Sequence, residues 1–302
     1  MTALAPGAQD RPSPLAAWLL ACRPRTLAAG LAPVAVGSGL AFRDGAFAPL
    51  PALAALVGAL LIQVGTNLAN DYFDHRRGAD SSERLGPPRA SQQGWLAPRA
   101  VLAGALACFG LAALVGMYLV AVAGLTILAV GLVSIAAGYA YTGGPYPLAY
   151  HGLGDAFVLV FFGLVAVGGT YFVQALGLTP LSVATGIPVG ALGVALLAVN
   201  NTRDARTDAA AGKRTLVVRF GVRFGRWEYA AMLAAAALAP AVLWAAGLAS
   251  AWVLLSLAAA PLAVRPLRLV FTQEGRPLNE ALAQTARLQL VYSLLLAVGL
   301  SR

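Results

Sequence analysis

Charge is scarce in this chain. Of its 302 residues only 11% are charged and 59% are apolar, whereas a soluble domain carries about 25% charged residues. Such a supply cannot cover a water-facing surface, so the chain belongs in a bilayer. Histidine occurs only as His75 and His151, and cysteine only as Cys22 and Cys108. With so few histidines, a zinc or haem centre is not expected. Both cysteines lie in apolar stretches and read as small buried residues rather than a disulfide. Lys213 is the sole lysine. Residues 1–14 lack the apolar core of a secretory signal and read as a loose cytoplasmic tail before a transmembrane domain at 15–302.

What the chain has in abundance is apolar runs of the roughly 17–25 residues that cross a membrane. They fall near 18–42, 50–72, 99–120, 122–141, 153–175, 181–201, 229–247, 249–269 and 284–300. The expected fold is an all-α integral membrane protein, with about nine transmembrane helices in a single bundle. The net charge of +9 invites a nucleic-acid reading, but the arginines sit mostly in loops between the runs or towards the runs' ends. With the N-terminus in the cytoplasm, every Lys and Arg except Arg43 and Arg302 falls on the inner side, as the positive-inside rule requires. The expectation is a multi-pass protein of the cell inner (cytoplasmic) membrane, with no nucleic-acid partner.

Acidic residues number only 12, and Asp71, Asp74, Asp80, Glu83, Asp204 and Asp208 crowd into two windows. Asn67, Asp71 and Asp74 stand at i, i+4 and i+7, on one side of a helix, with Gln63 one turn deeper. Asn200, Asp204 and Asp208 repeat the arrangement at i, i+4 and i+8. Each group closes an apolar run and precedes a basic loop of about 25 residues, longer than the usual helix connection. Four spans separate the two groups, which suggests a pseudo-duplicated four-helix unit with the site between the halves. Carboxylates on adjacent turns repel one another unless cations intervene. Asp71, Asp74, Asp204 and Asp208 therefore read as catalytic and metal-holding residues for Mg²⁺, which takes a few carboxylates plus phosphate oxygens. Lys213, Arg214 and neighbouring arginines would clamp a diphosphate.

A third polar window runs from Tyr139 to Asp155. Tyr139 and Tyr141 either belong to an interfacial aromatic belt or line the cavity and stabilise a cation through their rings. Arg23, Pro24, Arg25 and Thr26 open the first span. Arg23 reads as a positive anchor; Arg25 is either an anchor or the binder of an anionic aromatic acceptor. Gly186 and Gly190 form a packing step. Gly221 and Gly225 share that spacing in a polar loop, where it carries no such meaning.

These motifs together resemble the UbiA superfamily of intramembrane prenyltransferases, over nearly the whole chain. The resemblance rests on residues 23–26, on 65–74 with 78–80, on 141–147, and on 200–208 with 212–215. Within the superfamily it is nearest the 1,4-dihydroxy-2-naphthoate polyprenyltransferases of menaquinone synthesis. The commoner pattern spaces the first two aspartates by four; here position 75 is His75 and the acid is Asp74, as in the naphthoate branch. The Tyr-Pro-x-x-Lys pattern of the hydroxybenzoate branch is absent, since Leu148, Ala149 and Tyr150 follow Pro147. The resemblance implies nine helices around a cavity open sideways to lipid, with Mg²⁺ bridging the two aspartate clusters. It also implies a polyprenyl diphosphate donor, a 1,4-dihydroxy-2-naphthoate acceptor, and loss of CO₂ and diphosphate to give demethylmenaquinol. Asn67, Asn70 and Asn200 would then position diphosphate or metal-bound water, with Asp80 as a further metal-side group. The rivals are a sister enzyme acting on hydroxybenzoate, homogentisate or a glycerol-phosphate lipid, and a secondary transporter with carboxylates at the bilayer midplane.

Overall fold

The computed structural model describes residues 12–80 and 83–302, with all of their side chains except that of Arg25. Most of the expected 1–14 tail lies outside the described residues; Ser13 caps the first helix and Pro14 begins it. Among the described residues there is no strand. The helices are α1 (Pro14–Cys22), α2 (Ala28–Arg43), α3 (Pro49–Arg76), α4 (Pro98–Ala123), α5 (Leu125–Ala140) and α6 (Gly154–Ala175). They continue with α7 (Pro180–Ala210), α8 (Leu216–Phe220), α9 (Val222–Ala245), α10 (Pro261–Thr272) and α11 (Leu278–Leu300). A 3₁₀ helix, Ala251–Ala259, precedes α10 at a bend of 47°.

Proline sets several helix starts, because its missing N–H costs nothing in a first turn. Pro49, Pro98, Pro180 and Pro261 all serve this way. Thr179 adds a reciprocal capping box with Ser182 before α7.

Among the described residues six helices are long and apolar enough to cross a membrane, or seven if the bent pair counts as one. Two of the nine expected runs are α2 and α5, each of 16 residues. At 1.5 Å per residue they reach about 24 Å, short of a roughly 30 Å hydrocarbon core. The cause lies at their ends. The expected run 18–42 breaks at Arg23, whose backbone adopts φ +53°, and a 3₁₀ turn over Pro24–Thr26 separates α1 from α2. Gly124, at φ +80°, ends α4 after Ala123 and delays the start of α5 to Leu125.

Helix α7 is the centre of the bundle. Its most apolar stretch is 72% buried, against 22% for α4 and α9. The main core joins α2, α6, α7, α9 and α11 through Leu40, Tyr171, Leu192, Leu243, Tyr292 and Leu296. A second core joins α1, α3 and α4 through Ala21, Leu68, Phe73, Val101 and Phe109. Glycine lets α6 and α7 meet backbone to backbone: a Cβ on Gly163 would stand 2.5 Å from the Gly186 carbonyl oxygen. The Gly186 and Gly190 step is thus a packing device. So is Gly225, contrary to its reading as a loop residue, because it begins α9 pressed against Thr202 and Val217 of its neighbours.

Candidate active site

The ends of α3 and α7 converge. Lys213, just beyond α7, places Nζ 3.4 Å from Asp74 Oδ2 and 3.5 Å from Asp208 Oδ1. One cation therefore already bridges carboxylates from the two halves of the chain. Asp74 is saturated by its surroundings: Arg89 Nη2 lies 2.8 Å from Oδ2, and the Tyr150 hydroxyl donates to Oδ1 at 2.8 Å. Burial, and then the Asp74 carboxylate, push the Tyr150 phenol above its ordinary range.

The other two aspartates face different partners. Asp71 accepts backbone N–H bonds from Ala90 at 2.9 Å and Ser91 at 3.1 Å, so it pins the 77–97 loop onto α3. Asp204 receives a two-pronged guanidinium from Arg203, with Nε at 2.8 Å and Nη2 at 2.5 Å. Arg203 also donates to Asn200 Oδ1 at 2.7 Å and to Asn279 Oδ1 at 2.8 Å. Asn279 in turn donates to the Leu85 carbonyl at 2.9 Å. This chain fastens the 77–97 loop, α7 and the start of α11 together. Asp80 is buried between Arg84, at 2.5 Å, and Arg89, at 3.2 Å.

Of the remaining residues singled out in the sequence, Asn67 spends its amide on the Cys22 carbonyl at 3.1 Å and Thr26 Oγ1 at 3.0 Å, tying the 23–26 turn to α3. Asn70 accepts from the Thr142 hydroxyl at 2.7 Å. Arg214 carries an exposed side chain, and its backbone N–H bonds the Tyr150 carbonyl at 2.9 Å. The side chain of Arg25 lies outside the described residues. Tyr139 packs edge-on to Phe73, ring centres 5.2 Å apart. Tyr141 lines a cavity of about 360 Å³.

That cavity lies between α2, α3, α4, α5 and α6. Its walls are apolar, and Gln63, Thr66 and Tyr141 are among its few polar liners. On the outer side, Leu114, Met117 and Leu132 of α4 and α5 line it while also being exposed. An apolar chamber thus ends beside the polar helix tips, the geometry for a lipid tail with a charged head.

The buried arginines of the head region crowd one another. Burial, then Arg89 and Arg84, pull the Arg23 guanidinium down to about 9. Burial, then Arg89, pull Arg84 down to about 10. For Arg89 burial acts the same way, but Asp80, Asp74 and Asp71 overcome it and hold that group above its usual value. Arg23 Nη2 and Arg89 Nη1 are buried without hydrogen-bond partners. A polyanion would relieve all of this. For Mg²⁺ the fit is partial. Among the described residues no three Asp, Glu, His or Cys side chains gather into a metal site. Asp74 and Asp208 do converge on a common cation, and Mg²⁺ is usually held by one or two carboxylates with substrate phosphates and waters completing the shell. The donor set fits on those terms.

Sequence reasoning missed Asn279 and Tyr150 as parts of the site, and counted Arg203 only among the arginines that would clamp a diphosphate. Asn279 lies 76 residues beyond Arg203, and no local pattern joins them.

Comparison with known proteins places this arrangement in company. Residues 30–291 match the UbiA prenyltransferase family. The 1,4-dihydroxy-2-naphthoate octaprenyltransferase of Mycobacterium tuberculosis is 40% identical over 287 residues, covering 95% of this chain and 97% of its own. The enzyme of the same name from Escherichia coli is 38% identical over 291 residues, covering 94% of each. Among solved structures, a UbiA homologue from Archaeoglobus fulgidus bound to GPP and Mg²⁺ superposes with a TM-score of 0.64 at 16% identity, over 92% of this chain and 98% of that one.

Proposed function

The chain belongs to the UbiA prenyltransferase family, and from that premise we propose that it transfers a polyprenyl group from polyprenyl diphosphate to 1,4-dihydroxy-2-naphthoate. CO₂ and diphosphate are lost and demethylmenaquinol is formed. The observation that carries the reading is Lys213 held between Asp74 and Asp208 beside an apolar chamber. The names of the relatives supply the acceptor.

The chemistry follows from the residues. An allylic diphosphate must have its leaving charge neutralised before the C–O bond ionises. Lys213, Arg89, Arg84 and Arg23 surround the place where that charge develops. Mg²⁺, when bound, supplies Lewis-acid stabilisation of the diphosphate; Asp74 and Asp208 are the residues that would hold it, with Asp71 and Asp204 joining if the donor releases their present partners. The cavity takes the prenyl tail and keeps water from the allylic cation. Tyr141, between the chamber and the helix tips, presents a ring to that cation.

The reading includes an N-terminus and site on the cytoplasmic side, with α2 and α5 counted as spans to give nine in a duplicated four-helix pattern. A transporter predicts carboxylates at the midplane; here they stand at helix ends beside basic loops.

The test is direct. Membranes containing the protein, given dihydroxynaphthoate, a polyprenyl diphosphate and Mg²⁺, are expected to form prenylated quinol and CO₂ in equal amounts. Turnover with hydroxybenzoate or homogentisate but not with dihydroxynaphthoate would overturn the acceptor assignment. Ion-coupled uptake into liposomes without product would overturn the enzyme.

A further inference from the structure

Part of the chamber wall is polar and unpaired. Gln63 and Thr66 of α3, and Tyr141 at the end of α5, all line the cavity. Among the described residues none hydrogen-bonds any of their side chains. The other polar liners differ. The Ser134 hydroxyl donates to the Val130 carbonyl at 2.7 Å. Thr170 of α6 is turned towards Gly37, its Cβ 2.8 Å from where a methyl on that glycine would stand.

The three groups form a track. Two contacts hold α3 and α5 side by side and pointing the same way. Thr142 Oγ1 donates to Asn70 Oδ1 at 2.7 Å. One turn back, Gly138 makes room for Thr66, whose Oγ1 would lie 2.5 Å from a Cβ on that glycine. Each pair is separated by the same 72 residues, so Tyr141 is level with Ala69, nearly one turn closer to the helix tips than Thr66. Gln63 is a further turn inward, eight residues before Asp71, or about 12 Å along the helix. From the arginines into the chamber the order is Tyr141, Thr66, Gln63. A prenyl tail is hydrocarbon and satisfies none of them, and an unpaired amide facing an apolar space is costly. The reactant that carries oxygen is the aromatic acceptor.

We propose that Gln63, supported by Thr66, hydrogen-bonds the acceptor hydroxyl para to the one beside the carboxylate, and so selects a 1,4-dihydroxy arene over its monohydroxy counterpart. The proposal rests on the acceptor being a dihydroxyarene carboxylate, as read above. The carboxyl-bearing carbon must meet the allylic carbon next to the diphosphate, so the acceptor's carboxylate stays at the arginine end. The para hydroxyl then points down the track. An amide suits that hydroxyl because it can accept the O–H proton or donate to the oxygen. It is also neutral, so it does not compete for the cations that hold the diphosphate. A site built to bond a hydroxyl rejects the analogue lacking it far more strongly than an apolar wall can. Gln63 binds and orients; no covalent bond is made or broken to it.

The experiment uses the full chain in nanodiscs with Mg²⁺, a polyprenyl diphosphate and reduced 1,4-dihydroxy-2-naphthoate. Turnover by the unmodified protein reports on the acceptor assignment by itself. Gln63→Leu and Thr66→Val are then compared with it in two ways: kcat/KM for the dihydroxy acceptor, and the inhibition constant of 1-hydroxy-2-naphthoate, which can be read whether or not that analogue reacts. For Gln63→Leu the expected kcat/KM is about tenfold lower, the effect of one hydrogen bond, with the analogue's inhibition constant and the donor KM within about threefold. Thr66→Val should move the same way by less. A parallel loss against both compounds would make Gln63 a structural residue, and an unchanged kcat/KM would mean that its amide meets only water; either result overturns the proposal. Should Gln63→Leu fail to accumulate, Thr66→Val decides: a loss confined to the dihydroxy acceptor supports the proposal, and a parallel loss or none overturns it.

Discussion

At the scale of single residues, the aspartates divide by what already holds them. Asp71 is the clearest case, since both oxygens accept loop N–H groups. Removing the carboxylate leaves two buried donors unpaired, at about 1–3 kcal/mol each. In Asp71→Ala the amides of Ala90 and Ser91 are therefore expected to exchange with deuterium at least tenfold faster, roughly the effect of 1.4 kcal/mol. Asp71→Asn, which keeps one acceptor oxygen, should fall between. Unchanged exchange in both variants would mean that the loop is held by Arg89 and Asp80 alone. The sequence made Asp71 conspicuous through helical spacing. Its partners lie 19 and 20 residues on, across a loop with no periodicity, so its present task was not legible. The same holds for Arg203, read as one more loop arginine and found fastening Asp204, Asn200 and Asn279. Asp74, Asp208 and Lys213 were legible because an acidic helix end followed by the sole lysine is a pattern local in sequence.

Elements were readable where hydropathy and length agree, and less so where a turn interrupts a run. Every expected apolar run contains helix, yet no hydropathy window shows that Arg23 breaks the first one. Glycine contacts were half visible. Gly186 and Gly190 advertise themselves by spacing, but their partner Gly163 sits alone in a stretch, Leu159–Val165, that the structure winds as π-helix. A side chain there must push α6 off α7, because the obstacle is backbone: the Gly186 carbonyl oxygen at 2.5 Å and Gly190 Cα at 2.9 Å. Overpacking of this kind costs about 1–3 kcal/mol. Gly163→Leu should melt several degrees lower than the unmodified protein in the same detergent. Gly110→Leu on α4, where a Cβ meets nothing within 4 Å, should leave the melting temperature unchanged. Equal melting of the two variants would remove the α6–α7 contact as a source of stability.

For the whole molecule, the consequential question is which compartment the acidic helix tips face. The structure brings both tips to one end, since Lys213 reaches Asp74 and Asp208 together. The basic loops after α3 and α7 therefore share a side, and the segment after α10 joins them through Asn279 and Leu85. The turns after α2, α6 and α9 hold no arginine or lysine, and the nearest is Arg43 at the end of α2. Arg and Lys near helix ends are retained on the cytoplasmic side, so the site should open to the compartment where soluble acceptors are made. With Cys22 and Cys108 replaced by Ala, single cysteines can be placed at Glu83 and Glu274, exposed on the site end, and at Leu178 and Ala246, exposed on the other. A membrane-impermeant maleimide added to intact cells should label the Leu178→Cys and Ala246→Cys variants, and should label Glu83→Cys and Glu274→Cys only after the cells are opened. The reverse pattern would invert the topology while leaving the site intact. Labelling of one member of each pair from outside would put the loop after α3 and the segment after α10 in different compartments, and the contact of Asn279 with Leu85 that joins them at the site end could then not form.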